Sequence, residues 1–292
     1  MKILVMGDFH GNFSKKFNKI INKENINLVV SLGDYPPFHY RKIWFKHCYG
    51  KDVELWEIIG KKKYKKLLMK DLRMGESVLK RLNKVGIPIY TVLGNIDWPS
   101  PDDIMDLKEK MKKTMPNYYK KYNLAKKLKK YRNVHRLDYT SLRFQDYIFI
   151  GMRGHSHPGF VKSKAFKKHK NLLEKLFNKF KKENKEGKLI FVSHNIAYNT
   201  KLDKIDVKQL KKYIKKSKKG MNKVNRHYGS KMARVIINKW QPVLHLGGHI
   251  HESYGKDKLG RTILVNPGAA HEGKAAIIEL INGKLKKVEF VK

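Results

Sequence analysis

Short apolar runs alternate with helical patterns from the start of the chain. The runs KILVMG, NLVVSLG and IPIYTVLG are rich in β-branched residues, as expected of strands that are buried on both faces. Between them, two segments carry apolar residues at helical spacing, and Ser14 is placed to cap the first. These positions are Phe17, Ile20 and Ile21, then Val78, Leu79 and Leu82. The first part of the chain is therefore predicted to be βαβαβ.

The later part of the chain changes from alternating elements to consecutive strands. DYIFIGM and KLIFVSH bracket a helix, and QPVLHLGGH, RTILVNPG, AAIIEL and LKKVEFV follow as strands. The apolar stripe of the bracketed helix consists of Phe166, Leu172, Leu173, Leu176, Phe177 and Phe180. This order predicts an α/β fold in which two packed sheets are flanked by helices, a layered α/β/β/α sandwich.

Length and composition favour one elaborated domain over residues 1–292. The chain is 41% hydrophobic and contains no obvious linker. It has no apolar run near 18 residues, and MKILVMG is too short for a signal sequence, so neither a membrane span nor secretion is expected. The single cysteine, Cys48, cannot form an internal disulfide and is expected to be a small buried residue. A soluble cytoplasmic protein is predicted.

Charge is the unusual feature of the composition. Lysine and arginine number 66 against 25 aspartate and glutamate residues, which gives a formal net charge of +41. Nearly all of the excess lies in residues 39–84, 106–136, 161–188 and 201–239. A nearly neutral scaffold is therefore predicted to carry basic, mostly helical insertions near 36–74, 100–133 and 201–226.

Two interpretations of the basic segments are open. Solvated helices from a lysine-rich host would explain them, but thermophile surfaces raise glutamate alongside lysine, and here basic residues outnumber acidic ones by more than two to one. A polyanion such as RNA or single-stranded DNA, as substrate or partner, fits the imbalance better. Aromatic residues in two of these segments could stack on bases, or could be core at helical spacing. They are Tyr40, Trp44, Phe45, Tyr49, Trp56 and Tyr64, then Tyr118, Tyr119, Tyr122 and Tyr131.

Polar side chains with ligand chemistry follow many of the predicted strands. Because carboxyl ends of parallel strands face one crevice in an open α/β sheet, these side chains should converge. They are Asp8, His10, Asp34, Asn95, Asp97, His194, His249, His251 and Asn266. Taken alone, Asn95 and Asp97 could simply serve a turn, and a lone histidine is more often structural. Together, the carboxylates, the Asn95 amide and the four histidines make a mixed oxygen and nitrogen shell suited to two divalent ions.

Five short motifs that occur in a fixed order are more specific than any single candidate ligand. Asp8-x-His10, Gly33-Asp34, Gly94-Asn95, His194 and Gly248-His249-x-His251, in this order, resemble the motif set of the calcineurin-like metallophosphoesterase superfamily. The segments SHNIAYNTKLDKI, HYGSKMAR, QPVLHLGGHIHESYG and VNPG are similar to the Icc-related group of predicted archaeal and bacterial phosphoesterases. The resemblance extends from Met1 to Phe290, interrupted by the basic segments, and it implies the same layered fold.

The resemblance also implies two divalent ions that share one bridging carboxylate, Asp34. The implied ligands are Asp8, His10, Asp34 and His251 for the first ion, and Asp34, Asn95, His194 and His249 for the second. A water or hydroxide shared by the ions is expected to attack phosphorus in line. Manganese is the expected ion, with iron, zinc and nickel as alternatives. Asp97 is expected to steady a neighbouring ligand.

Ile96 departs from the family pattern. Many members carry a histidine there, which protonates the leaving oxygen or contacts the phosphate, and isoleucine can do neither. Candidate substitutes are Arg153, His155, His157 and His227, each of which could equally be structural. The predicted function is a dinuclear metal-dependent phosphodiesterase acting on a nucleotide or nucleic acid. The alternative is a nucleic-acid-binding protein on this scaffold with weak or lost catalysis, which the complete ligand set disfavours.

Overall fold

Two six-stranded mixed sheets organise the chain in a computed structural model, which describes residues 1–48, 51, 53–97, 124–155, 159, 161–205 and 227–292. In the first sheet the strand order is β12-β11-β1-β2-β3-β4, and in the second it is β5-β6-β7-β8-β10-β9. Each sheet has four neighbouring parallel strands, β1 to β4 in one and β6, β7, β8 and β10 in the other. Antiparallel strands complete both sheets. The predicted α/β sandwich is confirmed.

The strands of the first sheet are β1 (Lys2–Met6), β2 (Leu28–Ser31), β3 (Ile89–Thr91), β4 (Val134–Arg136), β11 (Ala275–Ile281) and β12 (Lys284–Val291). Those of the second are β5 (Ser141–Phe144), β6 (Tyr147–Met152), β7 (Leu189–Asn195), β8 (Leu244–Gly248), β9 (Gly255–Leu259) and β10 (Thr262–Asn266). The described α-helices are α1 (Lys16–Lys23), α2 (Arg41–His47), α3 (Leu55–Ile59), α4 (Lys61–Asn83), α5 (Leu124–Leu128), α6 (Lys164–Lys179), α7 (Lys181–Lys185) and α8 (Lys231–Trp240).

Side-chain alternation on the central strands builds the layers. On β1, Leu4 and Met6 pack towards the helices, whereas Ile3 and Val5 join residues of the second sheet in the core between the sheets. Because successive residues of a strand point to opposite faces, a strand covered on both faces must be apolar throughout. This is why KILVMG lacks a polar alternation. A third core lies between the second sheet and helices α6 and α8.

Several local predictions were wrong in detail. Helix α1 begins at Lys16 with Lys15 at its N-cap position, one residue later than predicted, and Ser14 Oγ accepts a long hydrogen bond of 3.4 Å from the Lys16 N–H. Leu172 of the predicted apolar stripe is exposed, whereas Leu173 and Phe177 are buried. Strands β4, β5 and β9 carry polar or partly exposed residues, and their periodicity did not predict them. Edge strands need less apolar surface because only part of each contacts the core.

The first basic segment forms a small core of its own. Tyr40, Trp56 and Tyr64 are buried there together with Cys48. These three rings are therefore core residues and cannot stack on bases, which settles the alternative left open for them. Tyr49, Tyr118, Tyr119 and Tyr122 lie outside the described residues, as do most of the segments predicted near 100–133 and 201–226. Within the described part of the chain, no helix is long and apolar enough to cross a membrane.

Candidate metal centre

The predicted ligands stand where parallel strands end, and their backbone is unusual. Asp8 follows β1, Asp34 follows β2, and His249 follows β8. The φ values of four of them lie in the left-handed region that residues other than glycine rarely adopt: 55° at Asp8, 44° at His10, 57° at Asp34 and 74° at His249. Such strain persists where the surrounding structure imposes it, and it is concentrated at functional sites. The strand ends therefore turn these side chains inward at a conformational cost.

One cluster of ligand atoms surrounds His194. Its Nε2 lies 2.9 Å from Asn95 Oδ1, 3.2 Å from His249 Nδ1 and 3.6 Å from Asp34 Oδ2. Its other ring nitrogen, Nδ1, lies 2.7 Å from the carbonyl oxygen of Leu32. A carbonyl only accepts, so Nδ1 carries the proton and Nε2 points into the cluster. Asn95 stands in a turn, as one interpretation predicted, and its side chain also faces His194.

A second cluster adjoins the first through Asp34. Ligand atoms of Asp8, His10 and Asp34 all lie within 4.8 Å of one another, and Asp34 also belongs to the group with His194 and His249. His251 Nε2 lies 3.2 Å from Asp8 Oδ1 and 3.4 Å from His10 Nε2. The structure thus places Asp34 between two groups of oxygen and nitrogen donors, as the bridging prediction requires.

A further histidine, His271, reaches the same place. Its ring centroid lies 4.9 Å from that of His10 and 5.4 Å from that of His251. Sequence reasoning missed it because it does not directly follow a strand, and because the NPG turn before it suggested loop architecture. Asn266 does serve architecture, since its Nδ2 donates to the carbonyl oxygens of Ile250 and Ser253.

Asp97 is hydrogen-bonded to the backbone of the loop that carries Asp34. Its Oδ2 accepts hydrogen bonds from the backbone N–H groups of Asp34 (2.8 Å) and Gly94 (2.6 Å), and its Oδ1 accepts one from Tyr35 (2.7 Å). The side chain is fully buried. A β-carbon on Gly94 would lie 2.0 Å from Asp34 Oδ1, so only glycine allows the carboxylate this place. Asp97 therefore fixes the loop that carries Asp34.

Burial and charge shift the protonation of the cluster. Burial raises the pKa of Asp8, but the imidazoles of His251, His194 and His10 outweigh it and hold that pKa well below its ordinary value. Burial alone would lower the pKa of His194, but the carboxylates of Asp34 and Asp8 raise it above the ordinary value. Burial holds the pKa of His249 well below its ordinary value, and the positive charge of His194 lowers it further. The cluster therefore keeps the Asp8 carboxylate ionised beside at least one neutral imidazole, that of His249.

The donor set fits divalent cations. Asp8 Oδ1 is buried and accepts no hydrogen bond from the residues that the structure describes, although His251 Nε2 lies 3.2 Å away. A buried carboxylate oxygen without a donor is costly, and a cation would satisfy it. His194 Nε2 points into the same cluster, 2.9 Å from Asn95 Oδ1 and 3.6 Å from Asp34 Oδ2, where a bound cation would take the place of the proton that the nearby carboxylates favour on this ring. Mixed carboxylate, amide and imidazole donors suit ions such as manganese, iron and zinc.

Two of the four residues predicted as substitutes for a missing acid have side-chain partners away from the ligand clusters. His155 Nε2 lies 3.0 Å from Ser230 Oγ, and His227 Nδ1 lies 2.6 Å from Asp203 Oδ1. Arg153 is buried, and burial lowers its pKa to about 9. His157 lies outside the described residues. The candidate ligand groups among the described residues include none of these side chains.

Ile96 contributes through its backbone. Its N–H donates to Asp34 Oδ1 at 3.1 Å, while its side chain is buried. Position 96 therefore helps to hold the Asp34 carboxylate and offers no titratable side chain.

Comparisons with known proteins agree with this geometry. A family model for calcineurin-like phosphoesterases matches residues 1–253. The chain is 33% identical over 150 residues to the uncharacterized protein MJ1162 of Methanocaldococcus jannaschii, a match that covers 50% of this chain and 54% of that one. The aligned region thus spans about half the length of that curated relative.

Two solved structures share the fold at low sequence identity. One crystal structure superposes with a TM-score of 0.63 at 16% identity, covering 100% of this chain and 98% of its own. Another, TT1561 of Thermus thermophilus, superposes with a TM-score of 0.54 at 15% identity, covering 99% and 97%. At these identities the likeness concerns the fold.

Proposed function

The chain belongs to the calcineurin-like phosphoesterase family, and from this premise we propose that it is a dinuclear metal-dependent phosphodiesterase acting on a nucleotide or nucleic acid. The observation that carries the proposal is the position of Asp34, whose carboxylate belongs to both groups of candidate ligands. Manganese is the ion we expect first, with iron, zinc and nickel as alternatives.

Most of the residues in the centre would bind metal, and Asp97 positions one of them. Asp8, His10, Asp34 and His251 would hold one ion, and Asp34, Asn95, His194 and His249 would hold the other. When bound, the two ions would activate a water molecule for attack on phosphorus and neutralise charge on the phosphoryl oxygens. Asp97 keeps the Asp34 loop in place through three backbone N–H groups. The buried Asp8 carboxylate keeps its negative charge because the imidazoles of His251, His194 and His10 lower its pKa.

The side chain at position 96 supports a diester with a good leaving group. Ile96 cannot give a proton to a departing oxygen, and general acid catalysis is typically worth about 10² to 10⁴ in rate. A phenolate leaves without protonation much more readily than an alkoxide does. Substrates whose leaving group is already stable are therefore favoured.

We expect an aryl phosphodiester to be hydrolysed faster than an alkyl phosphomonoester once the protein is loaded with manganese, nickel or zinc. Ile96→His should narrow this difference, because it restores a titratable group beside the bridging carboxylate, whereas Ile96→Leu should leave it unchanged. Initial rates on both substrates, with metal content measured for each variant, test the expectation. Faster hydrolysis of the alkyl monoester by the unmodified protein would contradict the diesterase proposal.

Helix α4 supports a polyanionic substrate or partner. The side chains exposed between Lys61 and Arg73 are all basic. The first turn of α4 contains no acidic residue and three lysines. Positive charge at a helix N-terminus opposes the helix dipole, so these lysines weaken the helix that carries them. Stability therefore does not explain this basic face, whereas neutralisation of phosphates does.

Affinity for single-stranded RNA should fall linearly with salt on logarithmic axes. Four exposed lysines of α4 changed together to glutamine should flatten the slope by about 0.7 for each one that contacts a phosphate. These are Lys62, Lys63, Lys66 and Lys70. The matched control makes the same charge change on exposed scaffold positions, Lys19, Lys23, Lys256 and Lys258.

Fluorescence anisotropy of a labelled RNA between about 50 and 200 mM salt measures the slopes. Equal slopes for the α4 variant and the scaffold control would contradict a role for this face. RNA binding without turnover of any diester would favour the alternative, a nucleic-acid-binding protein with lost catalysis.

A further inference from the structure

His271 is carried to the candidate metal centre by the loop after β10. This loop continues into a short 3-10 helix, Ala270–Glu272. The N–H of Ala270 donates to the carbonyl oxygen of Gly7 at 2.8 Å, and the N–H of His271 donates to that of Asp8 at 3.3 Å. The loop is thus fastened to the end of β1, beside a predicted ligand.

A side-chain hydrogen bond sets which nitrogen of His271 is available. Its Nδ1 lies 2.9 Å from the carbonyl oxygen of Asp8. Since a carbonyl only accepts, Nδ1 carries the proton and Nε2 keeps its lone pair. Glu272 Oε1 lies 3.9 Å from this Nε2, beyond hydrogen-bonding distance, and the other oxygen of that carboxylate pairs with Lys274 at 2.6 Å. A ring held in this way is typical of histidines that ligate metals through the second nitrogen.

The imidazole rings of His10, His251 and His271 form one face of the candidate metal centre. Ligand nitrogens of His10, His251 and His271 lie within 4.8 Å of one another. The rings of His251 and His271 are partly exposed, at 23% and 32%, so this face opens to solvent. Imidazole nitrogens that converge at such distances without a donor between them repel one another unless a cation or a proton lies among them.

We infer that His271 is an additional ligand of the ion held on the Asp8 side, which gives that site three imidazoles. The inference rests on the proposed dinuclear centre. It makes the two sites chemically unequal, because the other side offers two imidazoles, His194 and His249, with the Asn95 amide. A nitrogen-rich site selects zinc, nickel or iron over manganese and magnesium, which prefer oxygen donors. The ion on the Asp8 side is therefore of the zinc, nickel or iron class, and manganese stays the first expectation only for the side of His194, His249 and Asn95.

The competing explanation is that His271 only steadies Asp8 through its backbone carbonyl. Two substitutions separate the roles. His271→Ala removes both the Nδ1 donor and the Nε2 lone pair. His271→Asn keeps an amide N–H near the Nδ1 position and has no counterpart of Nε2. The exposed His135 on strand β4 provides a matched control, His135→Ala, at the edge of the first sheet.

Competition between zinc and manganese for the metal-free protein tests the inference. The affinity of one site for zinc should fall by about tenfold or more in both His271 variants, the scale seen when a metal site loses a supporting group. Its affinity for manganese should change less, and the other site and His135→Ala should match the unmodified protein. With Co²⁺ as the probe, both His271 variants should also alter the visible absorption spectrum of one bound ion.

Each outcome decides between the roles. If His271→Asn has the zinc affinity and cobalt spectrum of the unmodified protein, and only His271→Ala loses zinc affinity, His271 acts by positioning Asp8. This result would overturn the inference. Unchanged binding in both variants would overturn it as well. Failure of the dinuclear proposal is distinguishable, because the unmodified protein would then bind fewer than two ions in the same titration.

Discussion

Asp34→Ala should remove both bound ions and abolish phosphoester hydrolysis. Its carboxylate belongs to the group with His194 and His249 and also to the group with Asp8 and His10. Turnover should fall by about 10³-fold or more, since metal ions supply several kcal/mol of charge stabilisation in the transition state and about 1.4 kcal/mol is worth a factor of ten. Metal content by mass spectrometry, read beside turnover of an aryl diester, measures both effects.

Loss of a ligand that belongs to only one side of the centre should have a smaller effect than loss of Asp34. His251→Ala removes a donor from one side only, so it should weaken one ion and leave the second bound. Asp146→Ala, at an exposed position in the turn between β5 and β6, is the matched control and should leave both ions and turnover unchanged. Full activity of Asp34→Ala would exclude a mechanism that depends on two ions held by this residue.

Asp97→Ala should strongly destabilise the fold as well as the site. The substitution leaves three buried backbone N–H groups, those of Asp34, Tyr35 and Gly94, without their acceptor. Each such group costs about 1 to 3 kcal/mol, so the total is about 3 to 9 kcal/mol. Domains are typically stable by only about 5 to 15 kcal/mol, so a large part of the stability would be lost. Urea unfolding of the metal-free protein measures it.

A conservative substitution tests the cause. Asp97→Asn preserves the volume and one acceptor but directs an amide N–H₂ group towards backbone N–H groups, so we expect an intermediate loss. Asp146→Ala again supplies the control, because it removes a carboxylate that is exposed. A loss below about 1 kcal/mol in Asp97→Ala would mean that water or a rearranged loop replaces the carboxylate.

The apolar pattern of the sequence was sufficient to predict the central strands, and the strand ends were sufficient to pick out the candidate ligands that follow them. KILVMG, NLVVSLG and KLIFVSH became β1, β2 and β7 because strands covered on both faces must be apolar throughout. Asp8, Asp34 and His194 were predicted to converge because parallel strands end at one edge, and they do. The match of the family model over residues 1–253 confirms the resemblance that the motifs implied.

Contacts between distant segments decided the rest. Two of the three backbone donors to Asp97, those of Asp34 and Tyr35, lie more than 60 positions earlier in the chain. The backbone of Asp8 is hydrogen-bonded to Gly33 and to His271, which belong to other segments. The burial of Tyr40, Trp56 and Tyr64, by contrast, results from packing within the first basic segment, which their spacing had left open.

His271 shows most clearly which features the sequence determines and which depend on the tertiary structure. The sequence by itself determined the buried strands and the polar residues that follow them, since both depend on local order and burial. His271 follows no strand, and it reaches His10 because the loop after β10 is hydrogen-bonded to the carbonyl groups of Gly7 and Asp8, more than 260 positions earlier. Periodicity reports which face of its own element a residue occupies, and it carries no information about which other segment that face will meet. Only the tertiary structure could therefore place a third imidazole beside His10 and His251.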